Sequence, residues 1–350
     1  DAQESRGLGD VYKRQAHIFP RTGVKLVGMT NLKHGPRLVV IGLGHVGSQV
    51  LTEAVRAGIF AEIVTIDKKD GTAYGEALDH HQASALPGNP GVKLRSGGYE
   101  DCKEADVIIC AAGPSITPDG SGSQPDRSTL TEVNAKEIRQ VMTDLTAVTR
   151  DPALIFITNP LDTMVFLAEN EFDYPRAFGT GTMLDSSRLR RIVADRVGIS
   201  PETVSGYMMG EHGTTAFPVL SRLTACGIRA DEFKEHFGVE LDPEEVRQSV
   251  VSAAYDVFNS KGWTNAAVAR SAVLLARAVL FDEKSVWPVS STLRGEYGYD
   301  GNVAFSIPSV IGANGVEKRF AVSLNEWEQK ALEATAADIQ HTIADAKVTY

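Results

Sequence analysis

Cysteine is scarce in this chain. Only Cys102, Cys110 and Cys226 occur in 350 residues, and no two form a CxxC pair. An odd number without paired spacing supplies no disulfide framework. It fits a reducing, cytoplasmic compartment, with the three expected as small buried apolar residues. Long hydrophobic runs are also missing. The longest candidate, Ala266 to Phe281, is interrupted by Arg270 and Arg277, so no stretch reaches the ~18–20 apolar residues that span a bilayer. Positive charge is not in excess: 35 Lys and Arg face 45 Asp and Glu, a net charge of −10. That balance leaves no electrostatic footprint for nucleic acid. Neither a membrane nor a nucleic acid is therefore expected as a partner. The opening DAQESRGLGDVYKRQ has charges with no apolar core after them, unlike a signal peptide. Residues 1–35 are expected as a poorly ordered extension, with part of 17–34 able to pack on a neighbouring subunit.

What is present is 43% hydrophobic residues, enough to fill one large or two ordinary domains. The pattern is organised around VVIGLGHVG, Val39 to Gly47. A buried strand runs into a turn with Gly42, Gly44 and Gly47 at dinucleotide-binding spacing, and a helix from Gln49 to Ala57 follows. Gly42 permits the tight turn, Gly44 lets the backbone approach a pyrophosphate, and Gly47 lets helix and strand pack closely. The free amides at the helix start then face the phosphates. A second strand, Glu62 to Ile66, ends in Asp67, 25 residues beyond Gly42. A carboxylate there can accept both ribose hydroxyls and repels a 2′-phosphate, which favours NAD over NADP even with Lys68 and Lys69 adjacent.

Downstream, the chain alternates. A helix is expected over 73–85, a strand over 106–110 ending in Ala111-Ala112-Gly113, a helix over 130–149, and a strand over 154–158 ending at Asn159-Pro160. Strands separated by helices imply an α/β fold with a Rossmann-type doubly wound parallel sheet, whose ligand sits at the strands' carboxyl ends. Gly42, Asp67, Gly113 and Asn159 all stand there. His80 and His81 are adjacent on a helix and point about 100° apart, a poor metal pair; no metal site is expected. Between Gly113 and Arg127, PSITPDGSGSQPD is too poor in apolar residues to pack by itself, and it leaves the end of a central strand. It is read as a mobile lid over the site. The second half, an α+β substrate domain, is expected to contain a helix over 186–197, long helices from Phe217, from Pro243 and over 266–281, a strand-rich stretch over 286–320 and a closing helix over 325–345. The domains are then 1–35, 36–178 and 179–348.

Four groups can form one constellation. His212 lies in MGEHG between Gly210 and Gly213, and an imidazole's ordinary pKa of ~6.5 suits proton exchange near neutrality. Asp185 can hold its other ring nitrogen. Arg188 shares a helical face with Asp185 and its guanidinium can grip a carboxylate with two parallel bonds. Arg127, at the lid's far end, can swing in to polarise a carbonyl.

The blocks IGLGHVG, TID, NP-LD, GTGTMLDSSRLRR, SGYMMGEHG, KGWTNAAVA, WPVSS, GEYGYDG and IPSVIGANGV resemble, in order, the lactate/malate dehydrogenase family over nearly the whole chain beyond the leader. Within it, the likeness leans to the bacterial L-2-hydroxyisocaproate dehydrogenase type. That rests on GLG in place of GAG, GTGT before Leu184-Asp185, SGY before GEHG, and a long lid ending in Asp126-Arg127. The resemblance implies His212 as proton donor and acceptor, Asp185 as its partner, Arg188 on the substrate carboxylate and Arg127 on the C2 carbonyl. It implies Asn159 on both nicotinamide and substrate, Thr264 in the pocket wall, and Pro160 after a cis bond. The cofactor set becomes Gly42, Gly44, His45, Val46, Gly47, Asp67, Ala112, Gly113 and Asn159.

A 2-keto acid is thus the expected small-molecule partner. Residues 114–126 contain Asp119 and Asp126 but no Lys or Arg, which disfavours a dicarboxylate such as oxaloacetate. Ile116 stands near the discriminating position and suits an apolar side chain. The expectation leans to a medium-chain L-2-hydroxy acid, with lactate as the alternative. Arg190 matches an intersubunit anion site of related lactate dehydrogenases activated by fructose 1,6-bisphosphate, but Ser205 stands where that site has His, which argues against such activation. NAD-dependent glycosidases share the fold, yet they need a metal and a Cys close before Asn-Pro, where Ile157-Thr158 stand here. Family habit implies a homodimer or homotetramer.

Overall fold

A computed structural model describes residues 35–88, 91–114 and 127–349. The leader and most of the lid segment, including Ile116, lie outside the described residues.

The order is β1 (Arg37–Ile41), α1 (His45–Ala57), β2 (Glu62–Ile66), α2 (Asp70–Ala83), β3 (Lys93–Ser96), β4 (Val107–Cys110), α3 (Arg127–Thr146), β5 (Ala153–Phe156), α4 (Leu161–Asn170), β6 (Ala177–Gly179) and α5 (Met183–Val197). These strands make a parallel ladder in the order β3-β2-β1-β4-β5-β6. The order reverses between β1 and β4, the point where doubly wound sheets open a ligand crevice at the strands' carboxyl ends. The alternation of each strand decides its burial. Val39 and Ile41 of β1 enter one apolar cluster with α3 and α4, while Leu38 and Val40 enter the other with α1. Both clusters are buried, so the strands read as continuous apolar runs.

The second half continues with β7 (Val204–Ser205), β8 (Met208–Met209), β9 (Phe217–Pro218), β10 (Thr224–Ala225), β11 (Ile228–Arg229), α6 (Phe233–Phe237), α7 (Pro243–Lys261), α8 (Ala266–Leu280), β12 (Ser285–Arg294), β13 (Asp300–Gly312), β14 (Gly315–Arg319) and α9 (Glu326–Asp345). β12 joins β6 antiparallel, and β13 and β14 follow outward, so one sheet of nine strands runs through both halves. α8 covers the same sheet face as α1, and α9 covers the opposite face beside α3 and α4.

Two expectations are corrected, and two strands are added. The long helix from Phe217 is absent: 217–237 form short strands, a β10–β11 hairpin and the one-turn α6. Pro218 cannot donate to a helix interior, and Cys226 and Gly227 both take positive φ at the hairpin turn, a conformation that ends regular structure. Cys226 is accordingly exposed, whereas Cys102 and Cys110 are buried as expected. β3 and β6 were not foreseen; each is only three or four residues long, and their pairing rather than their apolar content makes them strands. His80 bonds the Thr52 hydroxyl at 3.0 Å, which ties α2 to α1.

Candidate active site

Three loops meet the crevice from the sheet. After β1, Gly42 has φ +88° and its amide donates to Ile66 at 2.8 Å. A Cβ built on Gly42 meets Ala112 backbone atoms at 2.6 Å, and one on Gly47 comes within 1.8 Å of the Gly42 carbonyl oxygen. The turn is therefore packed on both sides. Gly44 differs, because a Cβ there has nothing within 4 Å, which leaves its side of the backbone open to a bulky anion. At the end of β2, Asp67 accepts the amides of Leu43 at 2.8 Å and Lys69 at 2.9 Å. The acid thus braces the glycine turn and still has lone pairs for a diol. Lys68 pairs with Glu137 at 3.1 Å, so its charge is already engaged. An open backbone at Gly44, helix amides behind it and a carboxylate at the second strand's end fit a dinucleotide without a 2′-phosphate.

Two more cofactor candidates flank the switch point. Ala112 is buried and Gly113 takes φ +124°. The Asn134 side chain on α3 donates to the Asn159 carbonyl at 2.6 Å, and the Asn159-Pro160 bond is cis. Sequence reasoning missed Asn134, a buried amide that ties the loop after β5 to α3. Its helical position in VNAK carries no motif.

The second half supplies the ionisable groups. α5 starts after the buried N-cap Thr182, whose hydroxyl donates to the Met208 carbonyl at 2.7 Å. On α5, Asp185 and Arg188 face one way, and the guanidinium donates to one Asp185 oxygen at 2.8 Å. The other Asp185 oxygen lies 2.7 Å from Nδ1 of His212. His212 sits past β8 on backbone pinned from three sides. Gly210 bridges Ser306 in both directions, the Glu211 amide donates to Thr335 at 2.9 Å, and the His212 amide donates to Asp162 at 2.8 Å. Among the described residues, nothing bonds the other ring nitrogen, Nε2. Burial alone would pull the His212 pKa down, but the adjacent Asp185 carboxylate outweighs it and the net shift is upward. Burial pushes Asp185 up, yet His212 and Arg188 together hold it below the usual carboxylate range.

Arg188 and Thr264 line the same open cleft of about 370 Å³, with Leu184, Ile192, Lys261 and Asn265. The cleft abuts the glycine turn. Asn265 donates to the His45 carbonyl at 3.3 Å, and Trp263 stacks on the His45 ring. Val46, next to His45, packs half-buried on the α1 side of the sheet. The structure therefore brings His212, Asp185 and Arg188 into one cluster and sets Thr264 beside Arg188. Arg127 starts α3, but its side chain lies outside the described residues. Asp162 and Trp263 fall within the motifs NP-LD and KGWTNAAVA, which by themselves assign neither residue a role.

Comparison with known proteins matches two stretches of the chain. Residues 36–179 match the family model for the NAD binding domain of lactate/malate dehydrogenase, and residues 182–349 match that for its alpha/beta C-terminal domain. The chain is 39% identical over 313 residues to L-lactate dehydrogenase 2 of Clostridium acetobutylicum, covering 88% of this chain and 96% of that one. It is 39% identical to L-lactate dehydrogenase of Selenomonas ruminantium, covering 89% and 98%. Among solved structures, a minor L-lactate dehydrogenase from Enterococcus mundtii superposes with a TM-score of 0.84 at 28% identity, covering 90% of this chain and 99% of that one. Cryptosporidium parvum malate dehydrogenase superposes at 0.83 and 30% identity, covering 90% and 100%.

Proposed function

Because this chain belongs to the lactate/malate dehydrogenase family and is an NAD-dependent 2-hydroxyacid dehydrogenase, we propose that its substrate pair is pyruvate and L-lactate, with His212 as the proton carrier. The observation that carries the chemistry is the shared carboxylate of Asp185, 2.7 Å from the imidazole and 2.8 Å from the Arg188 guanidinium.

With Nδ1–H held by Asp185, Nε2 is the atom that gives and takes the substrate proton. Asp185 stabilises the imidazolium without leaving the site. The Arg188 nitrogens not used on Asp185 bind the substrate carboxylate, and Thr264 lines the wall beside it. Asn159 faces both nicotinamide and substrate, and Arg127 polarises the C2 carbonyl from the lid's end, with Ile116 near the substrate side chain. Gly42, Gly44, His45, Val46, Gly47, Asp67, Ala112 and Gly113 hold NAD, which when bound supplies the hydride acceptor and donor. Positioning by Arg188 then turns an encounter into a directed approach.

Pyruvate is preferred over the medium-chain acid that the sequence leans to, because two relatives at 39% identity are named L-lactate dehydrogenases. Oxaloacetate is disfavoured by the acidic, cation-free 114–126 segment. NADH oxidation compared across pyruvate, 2-ketoisocaproate, phenylpyruvate and oxaloacetate tests this. The highest kcat/KM is expected with pyruvate; a higher value with 2-ketoisocaproate replaces the assignment. The division at 178/179 into cofactor and substrate domains, cytoplasmic residence and a homodimer or homotetramer belong to the same proposal. Light scattering on the purified chain checks the last. No described helix is long and apolar enough to cross a membrane.

A further inference from the structure

Asp162 stands directly behind the site and takes no part in the scheme above. It is 2% exposed, in the first turn of α4, three residues past Asn159. One oxygen accepts the His212 main-chain N–H at 2.8 Å; the other accepts the Ser290 hydroxyl of β12 at 2.6 Å. Ser290 is fully buried. We propose that Asp162 is a positioning residue for His212, a second carboxylate that both fixes the histidine's backbone and favours its protonated ring. This rests on the reading of His212 as the proton carrier.

The choice of residue carries weight. Holding one amide N–H and one hydroxyl requires no charge, and an asparagine of the same shape can do both: its oxygen accepts the amide and its NH₂ donates to the Ser290 oxygen. A buried carboxylate costs several kcal/mol more than an amide unless its charge is compensated. The His212 imidazolium supplies compensating charge, since the ring lowers the Asp162 pKa and Asp162 raises that of the ring. Among the described residues, Asp185 and Arg188 approach the ring from α5, Asp162 from α4 and Glu211 from the preceding position, while β12 and α9 present the hydroxyls of Ser290 and Thr335 and β13 the Ser306 main chain. Burial pushes the Asp162 carboxyl up to about 7, helped by Glu211 and opposed by its two hydrogen bonds and His212. Its ionisation is therefore linked to the state of the histidine. A proton arriving on the ring favours ionised Asp162, and ionised Asp162 in turn favours the proton on the ring. Asp162 also anchors the helix that follows Asn159, so one carboxylate ties together two segments that flank the substrate.

The experiment compares wild type, D162N, S290A and H212N as full-length enzyme. Three measurements are made: the pH profile of kcat/KM for pyruvate reduction, NADH binding by calorimetry, and direct NMR titration of the His212 ring without cofactor. D162N is expected to bind NADH as wild type does. Its high-pH limb is expected to move to lower pH by up to roughly one pH unit, since a nearby charge has been removed. The NMR titration of the ring should fall in the same direction. A merely structural role predicts a different result, with activity lowered equally at every pH and an unmoved ring titration, and that result overturns the proposal. If D162N does not fold, S290A decides. Removing the hydroxyl donor makes Asp162 harder to ionise, so the limb must move the same way, and an unmoved S290A limb overturns the proposal. H212N separates the two claims. If H212N turns over normally, the proton-carrier reading fails. If H212N is inactive and D162N leaves the limb in place, the role of Asp162 fails alone.

Discussion

Trp263 lies face to face on His45, with ring centroids 3.8 Å apart and planes within 5°. The residue at the start of α1 is thereby joined to the residue just before Thr264 in the cleft beside Arg188. Lys261 adds its ammonium 5.9 Å from the indole centre. Such a stack contributes roughly 0.5–1.5 kcal/mol beyond the area it covers.

W263A is therefore expected to weaken NADH binding by up to roughly tenfold and to raise the KM for the keto acid, while W263F keeps most of both. Calorimetry and steady-state kinetics on the same preparations check it. NADH affinity unchanged in W263A would show that the stack does not couple the two sites.

The direction of the His212 shift sets a pH dependence. Its pKa is raised by Asp185 above the ordinary 6.5, so the protonated ring persists above that pH. If His212 carries the proton as proposed, keto-acid reduction draws on the protonated ring and should hold past pH 6.5 and fall as pH rises through the elevated value. Hydroxy-acid oxidation, which needs the neutral ring, should rise over the same window. H212N should bind NADH and lose turnover by ~10²-fold or more, with neither limb remaining.

Arg188→Lys keeps the charge and loses the fork. A single ammonium cannot both reach Asp185 and grip a carboxylate through two parallel bonds. Its kcat/KM is expected to fall by ~10²-fold or more through misplacement of the substrate, with NADH affinity unchanged. An R188K enzyme within twofold of wild type would remove Arg188 from the carboxylate-binding role.

The glycine turn predicts opposite outcomes for two neighbours. Gly44→Ala adds a methyl where nothing lies within 4 Å, so thermal stability should stay within about 0.5 kcal/mol while NADH binding weakens. Gly47→Ala drives a methyl to 1.8 Å from the Gly42 carbonyl, so the helix must shift and stability should drop by about 1–3 kcal/mol. Scanning calorimetry paired with NADH titration distinguishes them.

Glu62 anchors the start of β2 between Arg37, Arg95 and Lys93, with contacts of 2.6, 2.8 and 3.2 Å. Burial pushes its carboxyl up, but these three cations prevail and hold it at about 2. Its stabilising contribution is therefore complete above the unfolded value near 4.5 and disappears as pH falls through about 2. E62Q should lose on the order of 2 kcal/mol at neutral pH, with the gap to wild type narrowing as the buffer is taken from pH 5 to pH 2. A gap of constant size across that range would assign the loss to packing rather than charge.

Much of the molecule was legible from local spacing. The Gly42-Gly44-Gly47 turn, Asp67 at the second strand's end and the α/β alternation are dictated by steric and periodic rules that act within a few residues. The i, i+3 spacing of Asp185 and Arg188 likewise places both on one face of α5 before any folding is known. The region over 217–237 was misjudged because apolar content there is spread without period, and short strands form only when partners are supplied. β3 and β6 were missed for the same reason.

The sequence by itself thus determined the dinucleotide turn, the sheet class and which ionisable side chains were available, since each follows from residue type and near-neighbour geometry. Only the tertiary structure decided that Asp185 serves His212, 27 positions away, and Arg188 at once. It also decided that Asp162 lies under the His212 backbone from 50 positions away and that Trp263 closes onto His45 from the far half of the chain. These pairings depend on how α4, α5 and the segment past β8 pack against one continuous sheet. Burial sets the charge states there, and burial is a property of the packed molecule rather than of any stretch of the chain.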